Sequence, residues 1–520
     1  NAAAQTWGVE PASCYAELGT VVNNVNGERL PYGDLVAVAS TLDRPKSGEF
    51  TVKDPSQFRY IGKPMGNWDS LDIVTGRAQY CSDLFLPGMV VAVIARPPAI
   101  WAEIESYDDT AARAVEGVRD VRMIRDRLVV IADDTWSALR GRDALKITWS
   151  AGNTTLSSSA TRAELEARQD MTEVEGTLKA LYHIPYEAHA TMEPMVCVAD
   201  VRADSAEIWA PTQDRVAALG EARNMAQLPQ NAITVHVPLI GGGFGRRLQI
   251  DYVTEATAIS REIGLPVKLF WTREEDMQND FYHPFSVSAV HANLAKLAMP
   301  DVRVQQTGML QTGAWRSVEN FTNAYPSECF VDEVAAATGQ DPVELRLALH
   351  AGTRREGVIR LAAEKANWGE PLPSGWGRGI SVYSTFGVTH VAQVVEVEVG
   401  SRGPIRVHRV VCAVDCGTVI NPDGVIAQME GGIVFGLTAA LKAGITVEDG
   451  MIQQSNFDDY PLLRFDETPQ IDVYLVKSDA PPTGVGEMGV PPIAPAVANA
   501  VFAATGKRVR HLPILPQDLI

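Results

Sequence analysis

The chain has 520 residues, 46% of them hydrophobic, and its 64 acidic against 45 basic side chains give a net charge of −19. The hydrophobic fraction is ample for the cores of two to four domains, and the negative charge opposes nucleic-acid binding because phosphates would be repelled. The apolar run at 89–95 is too short to cross a bilayer and ends at Arg96, so we expect no membrane span.

The first part of the chain divides at a polar linker. The stretch 41–57 is rich in proline, serine and charged residues, and it closes a short N-terminal segment, 1–57, before an α/β domain at 58–150. Apolar runs and helical spacing predict four elements in that domain, which are strands at 88–96 and 128–132 and helices at 108–115 and 135–145.

The rest of the chain alternates between strand and helix patterns. A Ser/Thr-rich and then charged stretch, 153–175, predicts a surface crossover before a domain at 176–330. There, a strand at 233–240 runs into a glycine-rich turn that a helix at 252–263 follows. The last domain, 331–520, has predicted strands at 391–399 and 405–414 and predicted helices at 425–436 and 494–505. The expected fold class is a mixture of α/β and α+β.

Two glycine-rich turns, Gly-Gly-Gly-Phe-Gly-Arg-Arg at 241–247 and Gly-Val-Gly-Glu at 484–487, are the clearest candidates for a ligand site. Each follows an extended apolar stretch and precedes a helix, so bare backbone amides can approach an anionic ligand. The first turn lacks the Lys-Ser/Thr of a P-loop, and Arg246 occupies the last glycine position of a dinucleotide fingerprint. Taken alone, it is as consistent with a tight packing turn as with a ligand cradle.

Three polar side chains are candidates for catalysis. Gln213 follows a predicted strand at the edge where α/β proteins bind ligands, and it can both donate and accept hydrogen bonds. Arg316 suits a substrate carbonyl or carboxylate, and Glu487 suits a general base. Considered alone, Glu487 is equally open to the role of a helix-start acid, and Gln213 and Arg316 are each more often surface or structural side chains.

Protein side chains alone predict no metal site. The nine histidines form no HExxH pair or other close metal pair, and we interpret His189 as a hydrogen-bonded structural residue. The six cysteines are too scattered for a disulfide scaffold or an iron–sulfur cluster. Cys412 and Cys416 alternate with apolar residues, which predicts buried thiols. Any redox metal must therefore arrive inside an organic cofactor.

Seven segments follow one another in a diagnostic order, and they are PYEAHATMEPM (185–195), APTQ (210–213), GGGFGRR (241–247), KLFWTREEDMQNDFY (268–282), GAWRSV (313–318), 412–437 and 484–514. Together they resemble the molybdopterin-binding large subunit of the xanthine oxidase family. The likeness covers nearly the whole chain, in the branch typified by the beta subunit of isoquinoline oxidoreductase and by membrane-associated aldehyde dehydrogenases. It implies an α/β hammerhead-type domain at 58–150 and two elongated molybdenum-cofactor-binding domains at 176–330 and 331–520.

The resemblance also implies a cofactor, molybdopterin cytosine dinucleotide with Mo(=O)(=S)(OH), whose metal is held by the pterin dithiolene and by no protein side chain. Gly243, Phe244, Gly245 and Arg246 would together hold the molybdenum end and the phosphate, and Gln428 would contact the pterin. Glu487 would take the proton of the equatorial hydroxyl as hydride passes to the sulfido ligand, Gln213 would bond the apical oxo group, and Arg316 would orient the substrate. The implied cofactor contacts are Gly242, Gly243, Phe244, Gly245, Arg246, Gln428 and Gly486.

The implied function is that of the large catalytic subunit of a molybdenum hydroxylase, which oxidises an aldehyde to a carboxylic acid or hydroxylates an N-heteroaromatic ring with water-derived oxygen. Leu248 stands where purine-oxidising relatives carry a substrate-binding glutamate, which disfavours purines. Electrons would pass to 2Fe-2S clusters in a small partner subunit and then to a cytochrome acceptor. By analogy the complex lies in the periplasm or at the periplasmic face of the membrane, with the cytoplasm as the alternative.

Two features of the branch differ in this sequence. Members of the branch carry a Met-Gly-Gln-Gly motif and a Thr/Ser/Gly-rich turn ahead of the stretch that corresponds to residues 1–41, and neither motif appears in this sequence. The connection at 291–308 is also shorter than the corresponding stretch of the branch. We therefore expect a second chain or an upstream fragment to supply part of the cofactor cradle. The alternative function is a non-catalytic, cofactor-free subunit of the same fold that acts in assembly or partner binding. A nicotinamide-dependent dehydrogenase is disfavoured by the missing third glycine.

Overall fold

The computed structural model describes residues 1–46, 48–49 and 53–520, and the chain divides into two compact units, Asn1–Ile61 and Gly62–Ile520. Part of the predicted linker at 41–57 lies outside the described residues. The smaller unit holds a three-stranded antiparallel sheet in the order β1-β2-β3. Its elements are α1 (Ala2–Trp7), β1 (Cys14–Glu17), β2 (Thr20–Asn23), β3 (Arg29–Pro31) and α2 (Tyr32–Ala39).

The larger unit combines helices with several sheets, which confirms the expected mixed class. Its helices are α3 (Ser70–Val74), α4 (Thr110–Arg113), α5 (Thr135–Asp143), α6 (Ser158–Ala167), α7 (Arg215–Ala226), α8 (Asp251–Ile263), α9 (Arg273–Gln278), α10 (Glu319–Thr338), α11 (Pro342–Leu349), α12 (Arg354–Lys365), α13 (Pro422–Leu441) and α14 (Ile493–Thr505).

The strands of this unit form a seven-stranded sheet in the order β12-β11-β10-β13-β4-β7-β6, a sheet β15-β14-β9, a sheet β16-β17-β18-β21, and the pairs β5-β8 and β19-β20. Their bounds are β4 (Val90–Ala95), β5 (Ile104–Asp108), β6 (Val118–Ile124), β7 (Arg127–Ala132), β8 (Lys146–Trp149), β9 (Thr177–Ile184), β10 (Val196–Val201), β11 (Ala206–Trp209), β12 (Ile233–His236), β13 (Val267–Phe270), β14 (Ser286–Asn293), β15 (Asp301–Gln306), β16 (Trp376–Thr385), β17 (Thr389–Val399), β18 (Ile405–Asp415), β19 (Val447–Glu448), β20 (Met451–Ile452) and β21 (Gln470–Leu475).

Strand β4 lies in the middle of the seven-stranded sheet and is buried along its whole length. Its alternate side chains belong to two different hydrophobic clusters, with Val90 and Ala92 on one face and Val91 and Val93 on the other. A strand covered on both faces needs apolar residues at every position, which explains the uninterrupted run in the sequence.

The predicted boundary between 58–150 and 176–330 does not separate the strands of this sheet. Strand β4 pairs in parallel with β13, where Val90 lies opposite Val267, so both predicted domains contribute to one hydrogen-bonded layer. Nothing in the sequence indicates this pairing, because pairing between distant strands leaves no local signal in either strand.

Two shorter predictions also need correction. The predicted crossover at 153–175 contains helix α6, whose N-cap Ser157 accepts a hydrogen bond from the Ala160 N–H at 3.2 Å and whose Leu165 is buried. The helix predicted at 108–115 is reduced to α4, because Asp108 still belongs to strand β5. In both places a short polar stretch carried too few apolar residues to define a period.

Helix α14 packs directly on strands β16 and β17 and so positions the loop that precedes it. The close approach of the helix to the sheet depends on two glycines of β16. A Cβ at Gly377 would lie 2.1 Å from the Ala500 carbonyl oxygen, and a Cβ at Gly379 would lie 2.2 Å from the Ala500 nitrogen. The second glycine-rich turn is therefore attached to a tightly packed helix–sheet layer.

Helix α13 is, within the described part of the chain, the one helix that is long and apolar enough to cross a membrane. Half of its most apolar stretch is buried inside the protein. The expectation of no membrane span rested on 89–95, most of which forms strand β4. A single helix of this composition is weak evidence for a span, since the core helices of soluble proteins share it.

Candidate active site

The first glycine-rich turn is held by close packing and by a buried arginine. A Cβ at Gly245, whose φ is 108°, would lie 1.6 Å from the Ala314 carbonyl oxygen, so only glycine fits there. The fully buried Arg247 donates from Nε to the Gly242 carbonyl at 2.7 Å and from Nη2 to the Glu193 carbonyl at 2.8 Å. These contacts fix the turn before any ligand binds.

Several backbone amides of this turn have no protein partner. Within the described ranges, the N–H groups of Gly242, Gly243 and Phe244 donate to no protein acceptor, whereas the Gly245 N–H donates to Gln213 Oε1 at 3.0 Å. Neighbouring unpaired donors are a suitable cradle for an oxo or anionic group. The side-chain carboxamide of Gln213 therefore lies at the turn, and it is exposed beside the N–H groups that have no protein acceptor within the described ranges.

The second glycine-rich turn meets helix α13 through Arg316. Arg316 is 8% exposed, and its Nε donates to the Gly486 carbonyl at 2.8 Å while Nη2 donates to Gln428 Oε1 at 3.1 Å. Burial lowers the pKa of Arg316, and the nearby Glu487 carboxylate opposes that shift. Arg316, Gln428 and Gly486 are thus brought together, although they are far apart in the sequence.

Glu487 is fixed by Ser317, the residue after Arg316. The Ser317 N–H donates to Glu487 Oε1 at 3.0 Å, and the Ser317 hydroxyl donates to the Glu487 carbonyl at 2.9 Å. Glu487 Oε2 accepts no protein hydrogen bond from the part of the chain that the structure describes. Ser317 and Val318 have φ values of 85° and 52°, a costly conformation for residues other than glycine and one that occurs most at functional sites.

Aromatic contacts join the two turns. The ring of Phe244 lies 4.8 Å from the ring of Phe435 on α13, centroid to centroid. The Arg316 guanidinium carbon is 6.0 Å from the Phe244 ring centre and 5.8 Å from that of Phe435. The two glycine-rich turns, Gln213, Arg316, Gln428 and Glu487 therefore surround one region of the larger unit.

The Arg246 side chain is turned into the protein interior. It is fully buried, donates to both carboxylate oxygens of Asp251 at 2.9 and 2.8 Å, and lies 3.2 Å from Asp280. A guanidinium paired with two carboxylates is engaged within the protein. The role of Arg246 beside a cofactor stays a prediction, and the neighbouring backbone amides are the groups of this turn that remain open.

His189 is a buried, hydrogen-bonded structural residue, which confirms the interpretation from the sequence, and its partner Asp280 is one that the sequence did not indicate. Asp280 Oδ1 lies 2.8 Å from His189 Nδ1, and His189 Nε2 lies 2.9 Å from the Ala314 carbonyl oxygen, two residues before Arg316. Burial raises the pKa of Asp280 while His189 and Arg246 lower it, and the net pKa is lowered. In the sequence, His189 and Asp280 lie inside two of the seven diagnostic segments, but nothing in those segments indicates that the two side chains are in contact.

The residues present fit an organic molybdenum cofactor better than a metal bound by protein ligands. Among the described residues, no three His, Cys, Asp or Glu side chains are grouped to hold a metal ion. Gln213, Gln428 and Gly486 are exposed around the buried Arg316, and a Cβ at Gly486 would meet no atom closer than 3.9 Å. The region thus offers neutral hydrogen-bond donors and acceptors that are exposed and have open space beside them, which suits a polar pterin ring system.

Comparisons with known proteins agree on one family. Residues 153–296 and 354–469 each match a model of a molybdopterin cofactor-binding domain. The chain is 29% identical to the beta subunit of isoquinoline 1-oxidoreductase from Brevundimonas diminuta, over 99% of this chain and 80% of that protein. It is 27% identical to a membrane-bound aldehyde dehydrogenase (pyrroloquinoline-quinone) of Gluconacetobacter polyoxogenes with the same coverage, and 27% identical to a nicotinate dehydrogenase subunit of Pseudomonas putida over 98% of this chain and 50% of that protein.

Solved structures share the fold. Quinoline 2-oxidoreductase from Pseudomonas putida superposes with a TM-score of 0.74 at 15% identity, over 88% of this chain and 98% of that chain. Aldehyde oxidoreductase from Desulfovibrio gigas gives a TM-score of 0.75 at 14% identity, over 94% of this chain and 83% of that chain. The resemblance seen in the sequence is confirmed: the chain belongs to the molybdopterin-binding subunits of the xanthine oxidase family of molybdenum-dependent oxidoreductases.

Proposed function

We propose that the chain is the catalytic subunit of a molybdenum hydroxylase that oxidises an aldehyde to a carboxylic acid or hydroxylates an N-heteroaromatic ring with oxygen derived from water. The observation that supports this proposal is the convergence of Glu487 and Arg316 on the open side of the Phe244 turn. Relatives named for isoquinoline, nicotinate and aldehyde oxidation span both substrate classes.

Glu487 is the proposed base. The Ser317 N–H holds Oε1 at 3.0 Å, which orients the carboxylate and leaves Oε2 open to a proton. The bound molybdopterin supplies a Lewis-acidic centre that accepts two electrons, and beside such a centre an oxygen nucleophile needs only a weak base to lose its proton. Glu487 Oε2 is the acceptor that we propose for that proton.

Arg316 is the proposed anchor for the substrate or its developing negative charge. Its guanidinium is held by Gly486 and Gln428, so it carries a positive charge at a fixed place in a largely buried environment. A positive charge fixed in this way attracts negative charge on the substrate more strongly than it would in water, and it needs no rearrangement during the reaction. Gln213, fixed at the Gly245 N–H, is the proposed contact to the oxo group of the cofactor.

The cofactor and partners follow from the same proposal. The cofactor is molybdopterin in its cytosine dinucleotide form, and a second chain or an upstream fragment supplies its remaining contacts. A small subunit with 2Fe-2S clusters takes the electrons, with a cytochrome as the further acceptor, in the periplasm or at its membrane face. One relative's name carries pyrroloquinoline quinone, whereas both matched domain models are molybdopterin models, so the proposal is molybdopterin.

Cofactor analysis combined with a substrate screen tests this proposal. The protein is purified with whatever chains accompany it, assayed for molybdenum, pterin and quinone, and offered aliphatic and aromatic aldehydes and azaarenes with a redox dye. We expect about one molybdenum per chain and dye reduction with at least one of these compounds. A preparation that contains no molybdopterin, or that contains pyrroloquinoline quinone in its place, would contradict the proposal and leave the non-catalytic alternative.

A further inference from the structure

A second cavity of the larger unit, about 320 Å³ in volume, is lined by no described residue of either glycine-rich turn. We call it the Trp101 cavity; its walls include the loop 97–101, residues 278–282 and residues 309–311. Its volume falls within the range of small-molecule sites, about 300–1,000 Å³. The cavity can therefore hold a small ligand at a place other than the candidate active site.

Trp101 presents a large aromatic side chain at this cavity. The residue is 70% exposed, and its φ is 62°. It is the third residue of a turn that the Ala102 N–H closes by donating to the Ala99 carbonyl at 3.1 Å, a position where positive φ favours glycine. A tryptophan that keeps a costly conformation while it remains exposed indicates that its ring has a use there.

The carboxylates in the cavity wall are already paired with arginines. Arg96 donates to both carboxylate oxygens of Glu255 at 3.0 and 2.8 Å. Arg246 donates to both carboxylate oxygens of Asp251 at 2.9 and 2.8 Å and lies 3.2 Å from Asp280. Because these negative charges are neutralised within the protein, the wall does not favour a cationic ligand.

Arg127 is the charged residue of the wall that is open to a ligand. Its side chain is 42% exposed, and its one ion pair among the described residues is with Asp126, at 3.8 Å. The Asp126 side chain is itself 82% exposed, so this pair is weak. A guanidinium binds a carboxylate through two parallel hydrogen bonds, and an indole ring stacks on an aromatic ring. A ligand that meets both side chains therefore carries a carboxylate and an aromatic ring.

We propose that the Trp101 cavity binds a small aromatic carboxylate, with its ring against Trp101 and its carboxylate on Arg127. Ile100 and Met309 line the same cavity and suit the apolar ring. The chain has a net charge of −19 and repels anions in general, so binding of such a ligand depends on the local guanidinium. The inference does not rest on the proposed function, because neither Glu487 nor Arg316 lines this cavity.

Three small ligands separate the two contacts in a binding experiment. Benzamide keeps the ring and shape of benzoate without its charge, and acetate keeps the charge without the ring. Calorimetry or saturation-transfer NMR on the purified protein, with whatever chains accompany it, should show that benzoate binds about tenfold more tightly than either of the other two.

Variants of the two residues assign each contact. Arg127→Gln should lower benzoate binding to the level of benzamide. Trp101→Gly, in which glycine accepts the φ of 62°, should lower it to the level of acetate. The matched controls are Arg360→Gln on α12 and Trp136→Ala on α5, both at exposed positions, and they should leave benzoate binding unchanged.

Equal binding of benzoate and benzamide by the wild type would overturn the assignment. A benzoate preference that survives both Arg127→Gln and Trp101→Gly, or an equal loss in the control variants, would also overturn it. Loss of benzoate binding in Arg316→Lys alone would place the carboxylate in the candidate active site and contradict the proposal. Benzoate binding that depends on Arg127, in a protein that oxidises no compound of the dye screen, would refute the proposed function and leave this site standing.

Discussion

Replacing Glu487 with glutamine tests the proposed base with the least change in shape. The carboxamide oxygen can still accept the Ser317 N–H that now lies 3.0 Å from Oε1, so the loop should keep its conformation. The open Oε2 becomes an NH₂ group that cannot take a proton. Loss of a general base lowers kcat by about 10²- to 10⁴-fold, or about 3–5 kcal/mol of activation free energy. Dye-linked turnover and the molybdenum content should be measured on the same sample.

The control is Glu430→Gln, an equivalent change at an exposed position of helix α13. We expect its turnover to stay within twofold of the wild type and the molybdenum content of both variants to be unchanged. Turnover in Glu487→Gln equal to that of the control, with molybdenum bound, would refute the assignment of the base. Loss of molybdenum from Glu487→Gln alone would show that this carboxylate holds the cofactor rather than moving a proton.

Three further predictions concern the support of the site. Gly245→Ala should lower the melting temperature and abolish cofactor binding, because its Cβ would lie 1.6 Å from the Ala314 oxygen. Arg316→Lys should raise KM or lower kcat at least tenfold in the dye assay, since lysine lacks the planar guanidinium whose Nε and Nη2 bond Gly486 and Gln428 from two separate positions. His283 is buried beside Trp315, with ring centroids 5.3 Å apart, and its Nε2 lies 2.9 Å from the Thr322 hydroxyl. Burial lowers the pKa of His283 to about 3, so the free energy of unfolding falls by about 1.4 kcal/mol per pH unit between pH 6.5 and pH 3, and His283→Gln should lose less melting temperature than the wild type between pH 7 and pH 5.

Elements with a strong local pattern could be predicted from the sequence. The strand predicted at 391–399 is found as β17, Thr389–Val399, and the helix predicted at 494–505 is found as α14, Ile493–Thr505. Both are long runs rich in apolar residues, and the helix ends at Gly506 in the left-handed conformation. The first glycine-rich turn could be identified from a local requirement as well, since Gly242 and Gly245 have φ values of 103° and 108°.

Contacts between distant segments could not be predicted from these patterns. The direction of the Arg246 side chain is set by Asp251 and Asp280, and nothing in the GGGFGRR motif indicates these partners. The pairing of β4 with β13 also depends on segments far apart in the chain. Such contacts are fixed by the packing of the whole unit, so sequence spacing alone carries little information about them.

The central claim is that both glycine-rich turns line one molybdopterin site with Glu487 as its base. An experimental structure of the purified, molybdenum-containing complex is the most direct measurement. The account predicts molybdenum within proton-transfer reach of the Glu487 carboxylate, with Gln213 and the amides of the Phe244 turn around the same group. Molybdopterin bound elsewhere in the complex, or Glu487 turned into bulk solvent while the cofactor is present, would contradict it.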